Sequence, residues 1–112
     1  LRLRFAFGFF QVRVTTMAEA RDQLDTFRAE ARAWLEQNFP KSLVGRAGEY
    51  MVVEGAVRLE GDALAWRQRL GEKGWGTPTW PREYGGGGLT QPEARVLQEE
   101  MAAVGAFNPI PM

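Results

Sequence analysis

From Met17 to Asn38 apolar side chains recur at every third or fourth position. Leu24, Phe27, Ala31, Trp34 and Leu35 fall on one stripe, and Arg21, Asp25, Arg28, Arg32 and Glu36 occupy the other face. This is the period of a helix with one side against a core, and Pro40 stops it. Thr16 and Glu19 have capping-box spacing at its start. Arg21–Asp25 and Arg32–Glu36 are opposite charges at i,i+4, each expected to add about 0.2–0.5 kcal/mol. A second helix is expected from Asp62, as N-cap, to about Lys73, burying Ala63, Trp66 and Leu70. Gly74 stands where a helix turns off in the left-handed conformation, and Trp75 would fold back on Leu70. A third helix starts at Thr90, where Glu93 completes a T-x-x-E capping box. It carries Ala94, Leu97, Met101 and Val104 on one stripe and ends at Gly105, with Pro109 and Pro111 beyond.

The connections are long. Residues 41–61 contain Gly45, Gly48, Gly55 and Gly61 and hold no lasting period, so they predict a loop, with a short extended piece over Tyr50 to Val53. Residues 75–89 cannot be a long helix, because Pro78 and Pro81 push their predecessors toward extended geometry and four glycines follow. This elbow is expected to be ordered, since Trp75, Trp80 and Tyr84 are too apolar to leave in water. The fold class is all-α: a small helical domain of about three helices with long loops.

Leu1, Leu3, Phe5, Phe7 and Phe9 alternate with Arg2, Arg4, Ala6 and Gly8, which is strand periodicity. Gln11 and Arg13 interrupt the run, so it lacks the continuous apolar core of about 7–15 residues that a signal peptide needs. It is also far short of the roughly 20 residues of a membrane span. We set residues 1–16 apart as an upstream or non-native extension. The domain itself is expected at 17–112, incomplete at its C-terminus, because Met17-Ala18-Glu19 resembles a translation start and the chain stops just after a proline-rich stretch.

Composition narrows the chemistry further. A chain of 112 residues has room for one domain with a modest core. Fourteen basic residues balance fourteen acidic ones, so no net field draws the chain to nucleic acid or anionic lipid. There is no cysteine and no histidine, which removes disulfides, thiolate and imidazole metal sites, and the commonest general base near neutral pH. No metal site is expected, and a cytoplasmic location suits a chain without cysteine.

No catalytic or cofactor-binding set can be assembled from the residues themselves. Gly85-Gly86-Gly87-Gly88 precedes a helix start and invites a phosphate-binding reading. It lacks both the G-x-G-x-x-G spacing after a strand and the G-K-[ST] ending, so a tight turn into the helix explains it better. Glu99 and Glu100 are neighbours on a helix and diverge by about 100°, which prevents them from flanking one substrate atom. Glu100 lies near the buried stripe, where a structural bond to a neighbouring loop is expected. Trp34 and Trp66 belong to core stripes, and Trp75 and Trp80 lack the basic stripe of a nucleic-acid surface. Lys41 and Lys73 are outside any apolar run that would depress an amine.

Between Trp66 and Met101 the order of features becomes specific. Leu70, Gly74-Trp75, Trp80-Pro81, Glu83-Tyr84-Gly85-Gly86, Gly88-Leu89-Thr90, Glu93 and Glu99-Glu100-Met101 resemble the N-terminal domain of the acyl-CoA dehydrogenase family. That family's pattern is L-x-x-x-G-W, then W-P-x-E-Y-G-G-x-G-L-[ST]-x-x-E, then E-E-[LM]. Phe27 to Pro40 resembles its first helix. The resemblance implies a three-domain FAD enzyme that dehydrogenates the Cα–Cβ bond of an acyl-CoA thioester. In such enzymes a glutamate takes the α proton, the flavin takes the β hydride, and electrons pass to an electron-transfer flavoprotein. In the family most FAD contacts and the catalytic glutamate come from the middle and C-terminal domains, so no catalytic or cofactor-binding residue is carried over here. FAD is not expected to bind this chain alone.

The resemblance further implies that the N-terminal domain supplies acyl-pocket wall and interdomain packing, in a homo- or hetero-oligomer. Phe107, Pro109, Ile110 and Met112, after the E-E-[LM] helix, are candidates for acyl-chain contact; the other reading is an apolar segment covering the helix ends. Alternatives to a truncated dehydrogenase are a stand-alone helical interaction module without catalysis and a non-catalytic subunit of a heteromeric dehydrogenase. An isolated domain of this kind is expected to be marginally stable or aggregation-prone and to lack yellow flavin, since each wet large side chain forgoes about 1.5–3 kcal/mol.

Overall fold

The computed structural model describes residues 16–50 and 59–110. Among them are four α-helices and no strand: α1 (Met17–Asn38), α2 (Ala47–Tyr50), α3 (Gly61–Lys73) and α4 (Gln91–Val104). Single 3₁₀ turns at Lys41–Leu43 and Arg82–Tyr84 shape the connections. The all-α reading therefore holds, and α2 is the helix that the glycine-rich sequence hid. Its four residues carry no stripe, and Arg46 clasps Glu49 across one turn at 2.7 Å. The extended piece expected over Tyr50 to Val53 begins in α2 at Tyr50, and its remainder lies outside the described residues. So do residues 1–15 and Met112.

Helix ends follow the local chemistry. Thr16 Oγ accepts the Glu19 amide at 3.0 Å and starts α1. At α4 both halves of the capping box are present, Thr90 Oγ accepting from the Glu93 amide and Glu93 Oε1 from the Thr90 amide. Gly74 closes α3 at φ +81°, with the Trp75 amide donating back to the Leu70 carbonyl, as a Schellman ending requires. Gly105 closes α4 in the same manner. The start of α3 differs from expectation. Asp62 is not its N-cap but its second residue, because Asp62 Oδ2 accepts from Ser42 Oγ at 2.5 Å and ties the helix to the Lys41–Leu43 turn. A contact twenty residues away outcompetes the local cap.

The core is aromatic. Trp66, Leu35, Leu43, Leu70 and Leu97 are the largest fully buried side chains. Rings run in sequence from Phe27 to Trp75, Trp34, Trp66, Phe39, Phe107 and Tyr50, with successive centroids 4.9 to 5.9 Å apart. Most of these pairs are edge-on, the arrangement that ring quadrupoles favour. The chain of rings crosses from α1 to the elbow, to α3 and to the segment after α4, so one continuous contact binds all of them.

The α1–α4 interface carries a buried charge. Glu100 is 2% exposed and accepts from Arg28 at 2.7 Å and Arg32 at 2.5 Å, while Arg28 also reaches Glu99 at 2.7 Å. Glu100 therefore bonds to a helix rather than to the neighbouring loop expected, and Arg32 turns to it instead of to Glu36. Val96 and Glu100 widen the buried face of α4 beyond its predicted stripe.

Candidate functional site

The elbow between α3 and α4 is the local structure on which the site depends. Its amides are spent internally. Gly86 donates to Pro81, Gly87 to Thr77, Gly88 to Trp80 and Leu89 to Pro78, all between 2.9 and 3.2 Å, and Gly85 donates to Arg82 at 3.0 Å. No free amide remains in the glycine run to cradle a phosphate, so the tight-turn reading of Gly85–Gly88 is the physical one. The end of α3 and the glycine run touch backbone to backbone: a Cβ on Gly74 would stand 2.6 Å from the Gly86 carbonyl oxygen. Trp75 is buried beneath it, whereas Trp80 is 46% and Tyr84 73% exposed. The expectation that all three aromatics are shielded is corrected here: the elbow holds its shape through main-chain bonds, not by burying Trp80 and Tyr84.

Against this elbow lies the candidate site, an open groove of about 610 Å³ beside α4. Leu97 and Met101 of α4, Trp75 and Pro78 of the elbow, and Phe107 beyond α4 give it apolar lining. Gln98, Asn108 and Arg95 place neutral and cationic groups on its rim. Such a trough accepts an apolar chain and offers polar partners where that chain meets water.

Phe107, of the four residues singled out in the sequence, lines this groove and is 4% exposed. Ile110 sits elsewhere, over Gly71 and Gly76, bordering a shallow hollow with Leu64 of α3. Pro109 is half-buried and lines neither, and Met112 lies outside the described residues. Sequence reasoning missed Asn108. Its Nδ2 donates to the Gly76 carbonyl at 2.9 Å and its Oδ1 accepts the Ile110 amide at 2.9 Å. Only the second, local bond has a sequence signature, an Asx turn.

Glu99 and Glu100 do not line the groove. Burial pushes the Glu100 carboxyl up, but hydrogen bonds from Arg28 and Arg32 outweigh it and hold the group below its ordinary range. A carboxylate charged, clamped and turned toward α1 cannot accept a substrate proton at the groove. Among the described residues every buried side-chain polar atom has a partner, and no group of three acidic or metal-ligating side chains gathers for an ion. Among these residues, no helix is long and apolar enough to cross a membrane.

The described residues thus form a small four-helix domain with a glycine elbow, an α1–α4 ion cluster and an apolar groove. Residues 11–111 match the family described as acyl-CoA dehydrogenase, N-terminal domain, and the chain belongs to that family. The match begins inside the segment set apart by its alternating pattern. No curated protein and no solved structure matches the chain significantly.

Proposed function

We propose that this chain is the N-terminal helical part of an FAD-dependent acyl-CoA dehydrogenase, acting on the CH–CH bond of an acyl-CoA thioester. Its share of the work is to wall the acyl pocket and to pack against a middle β domain and a C-terminal helical domain. The observation that carries this reading is the apolar groove lined by Leu97, Met101 and Phe107, on a domain whose family is that of acyl-CoA dehydrogenases. Residues 17–112 form the domain in this reading, and residues 1–16 an N-terminal extension.

The residues here bind and shape rather than react. Leu97, Met101 and Phe107 take up the acyl chain, excluding water from its apolar carbons. Neither Glu99 nor Glu100 is the base, because their oxygens serve Arg28 and Arg32. The flavin, held by the other domains, supplies the hydride acceptor when bound, and an electron-transfer flavoprotein takes the electrons onward. A cytoplasmic, homo- or hetero-oligomeric enzyme goes with this reading.

The exposure of Trp80 and Tyr84 supports a second reading, a helical interaction module or non-catalytic subunit that docks through the elbow. Both are separated by one assay. The chain, joined to or co-expressed with a flavin-binding middle domain and a C-terminal helical domain, is tested for acyl-CoA-dependent reduction of an electron acceptor. We expect turnover with this domain and none without it, and a changed chain-length preference in Phe107→Ala. Turnover indifferent to the domain would favour the interaction module.

A further inference from the structure

Two bonds fasten the residues after α4 onto the rest of the fold, and a third turns the segment itself. The Trp66 indole N–H donates to the Phe107 carbonyl at 2.8 Å, in the buried interior. Asn108 Nδ2 donates to the Gly76 carbonyl, thirty-two residues earlier in the chain. Asn108 Oδ1 accepts the Ile110 amide, which turns the chain so that the Ile110 side chain lies on the Gly76 backbone. A Cβ at Gly76 would collide with that side chain. Gly76 belongs to the elbow, whose Trp75 and Pro78 line the groove together with Phe107.

We propose that Asn108 is a positioning residue: by bridging Gly76 and Ile110 it fixes Phe107 relative to the elbow and so sets how long an apolar chain the groove accepts. The acyl-chain element of this inference rests on the reading of the groove given above. The physical reasoning is direct. Phe107 lies beyond the left-handed C-cap at Gly105, with Ala106 between them, so no helix holds it in place. Its ring contacts, Phe39 at 5.8 Å and Tyr50 at 5.5 Å, are dispersive and tolerate sliding. Directional bonds do not, and of the three only the Asn108–Gly76 bond ties the segment to the elbow, whose Trp75 and Pro78 line the groove.

Two variants separate the parts. Asn108→Ala removes both bonds. Asn108→Ser keeps an oxygen for the local turn but cannot span to Gly76. The full chain is studied by NMR through the Trp66 indole proton, which reports the Phe107 carbonyl bond. The chain, co-expressed with a flavin-binding middle domain and a C-terminal helical domain, is then titrated with saturated acyl-CoA thioesters from butanoyl-CoA to tetradecanoyl-CoA. In both variants we expect indole hydrogen exchange to accelerate by about tenfold, the equivalent of one lost hydrogen bond. We also expect the preference for one chain length over its neighbours to flatten, with helix content unchanged. A purely structural role would leave that preference intact. Unchanged exchange, or an unchanged length preference in a protein that does bind thioesters, would overturn the proposal. If the wild type binds no thioester while exchange still accelerates, the bridge to Phe107 stands and the acyl reading of the groove falls.

Discussion

Glu100 on α4 and Arg28 on α1 meet at 2.7 Å across the interface of the two long helices, with the carboxylate almost wholly buried and the guanidinium 40% exposed. The geometry is asymmetric: the anion has left water, while Arg28 and Arg32 keep partial contact with it. Such an arrangement lowers the cost of burying the charge, because each cation remains half-hydrated.

Removing the charge tests the clamp. Glu100→Gln keeps the shape but leaves two guanidinium groups facing a neutral amide, and we expect a loss of about 1–3 kcal/mol in urea unfolding. Glu99→Gln, at a half-exposed carboxylate, should change stability by less than about 0.5 kcal/mol. Equal effects of the two would contradict the buried clamp.

The same clamp sets an acid limit. In the folded chain Glu100 lies below its ordinary 4.5, since the arginine hydrogen bonds outweigh burial. The folded state then binds fewer protons than the unfolded one in this range. The stabilisation is complete above about pH 5 and is lost progressively as pH falls through the folded-state value. Glu49, lowered by Arg46, acts in the same direction but is exposed. Thermal midpoints should therefore decline below about pH 4.5, and Glu100→Gln should remove most of that decline. An identical acid slope in the variant would refute the assignment.

Gly74 and Gly85 share a left-handed backbone yet differ in surroundings. Gly85→Ala meets only the conformational penalty of about 1–2 kcal/mol, because nothing stands within 4 Å of its Cβ. Gly74→Ala adds a collision with the Gly86 carbonyl at 2.6 Å and should cost distinctly more. Chemical denaturation of the two variants side by side measures the difference. Similar losses would mean that the end of α3 and the glycine run are not held in contact.

Tyr84, 73% exposed, should be dispensable for folding. Tyr84→Ser is expected to leave the urea midpoint within about 0.5 kcal/mol of wild type. It should nevertheless weaken co-purification with the middle and C-terminal domains, if the elbow is a packing face. Unaltered co-purification would remove Tyr84 from that face.

Much of this fold was legible because its signals are local. The stripe from Leu24 to Leu35, the Thr90–Glu93 box and the stops at Gly74 and Gly105 each depend on residues within one or two turns, and each stands where the pattern predicts. What the sequence concealed is tertiary. Asp62 looks like a cap, but Ser42 claims its carboxylate; Arg32 has a good partner at Glu36, yet a buried anion at Glu100 attracts it more strongly. Trp80 and Tyr84 predict burial by hydrophobicity alone, a rule that fails where a rigid main-chain turn can present aromatics outward. For the site, Phe107 was accessible from the resemblance, whereas Asn108 was not, since a side chain reaching thirty-two residues back leaves no periodic trace.

The central claim, that the groove over Leu97 and Met101 receives an acyl chain, is tested most directly by photolabelling. An acyl-CoA carrying a diazirine at the end of its chain is irradiated with the protein, and the adduct is mapped by peptide sequencing. The account predicts labelling confined to Leu97, Met101 and Phe107, and suppressed by excess unmodified thioester. Labelling that falls on Trp80 and Tyr84, or that resists competition, would contradict it.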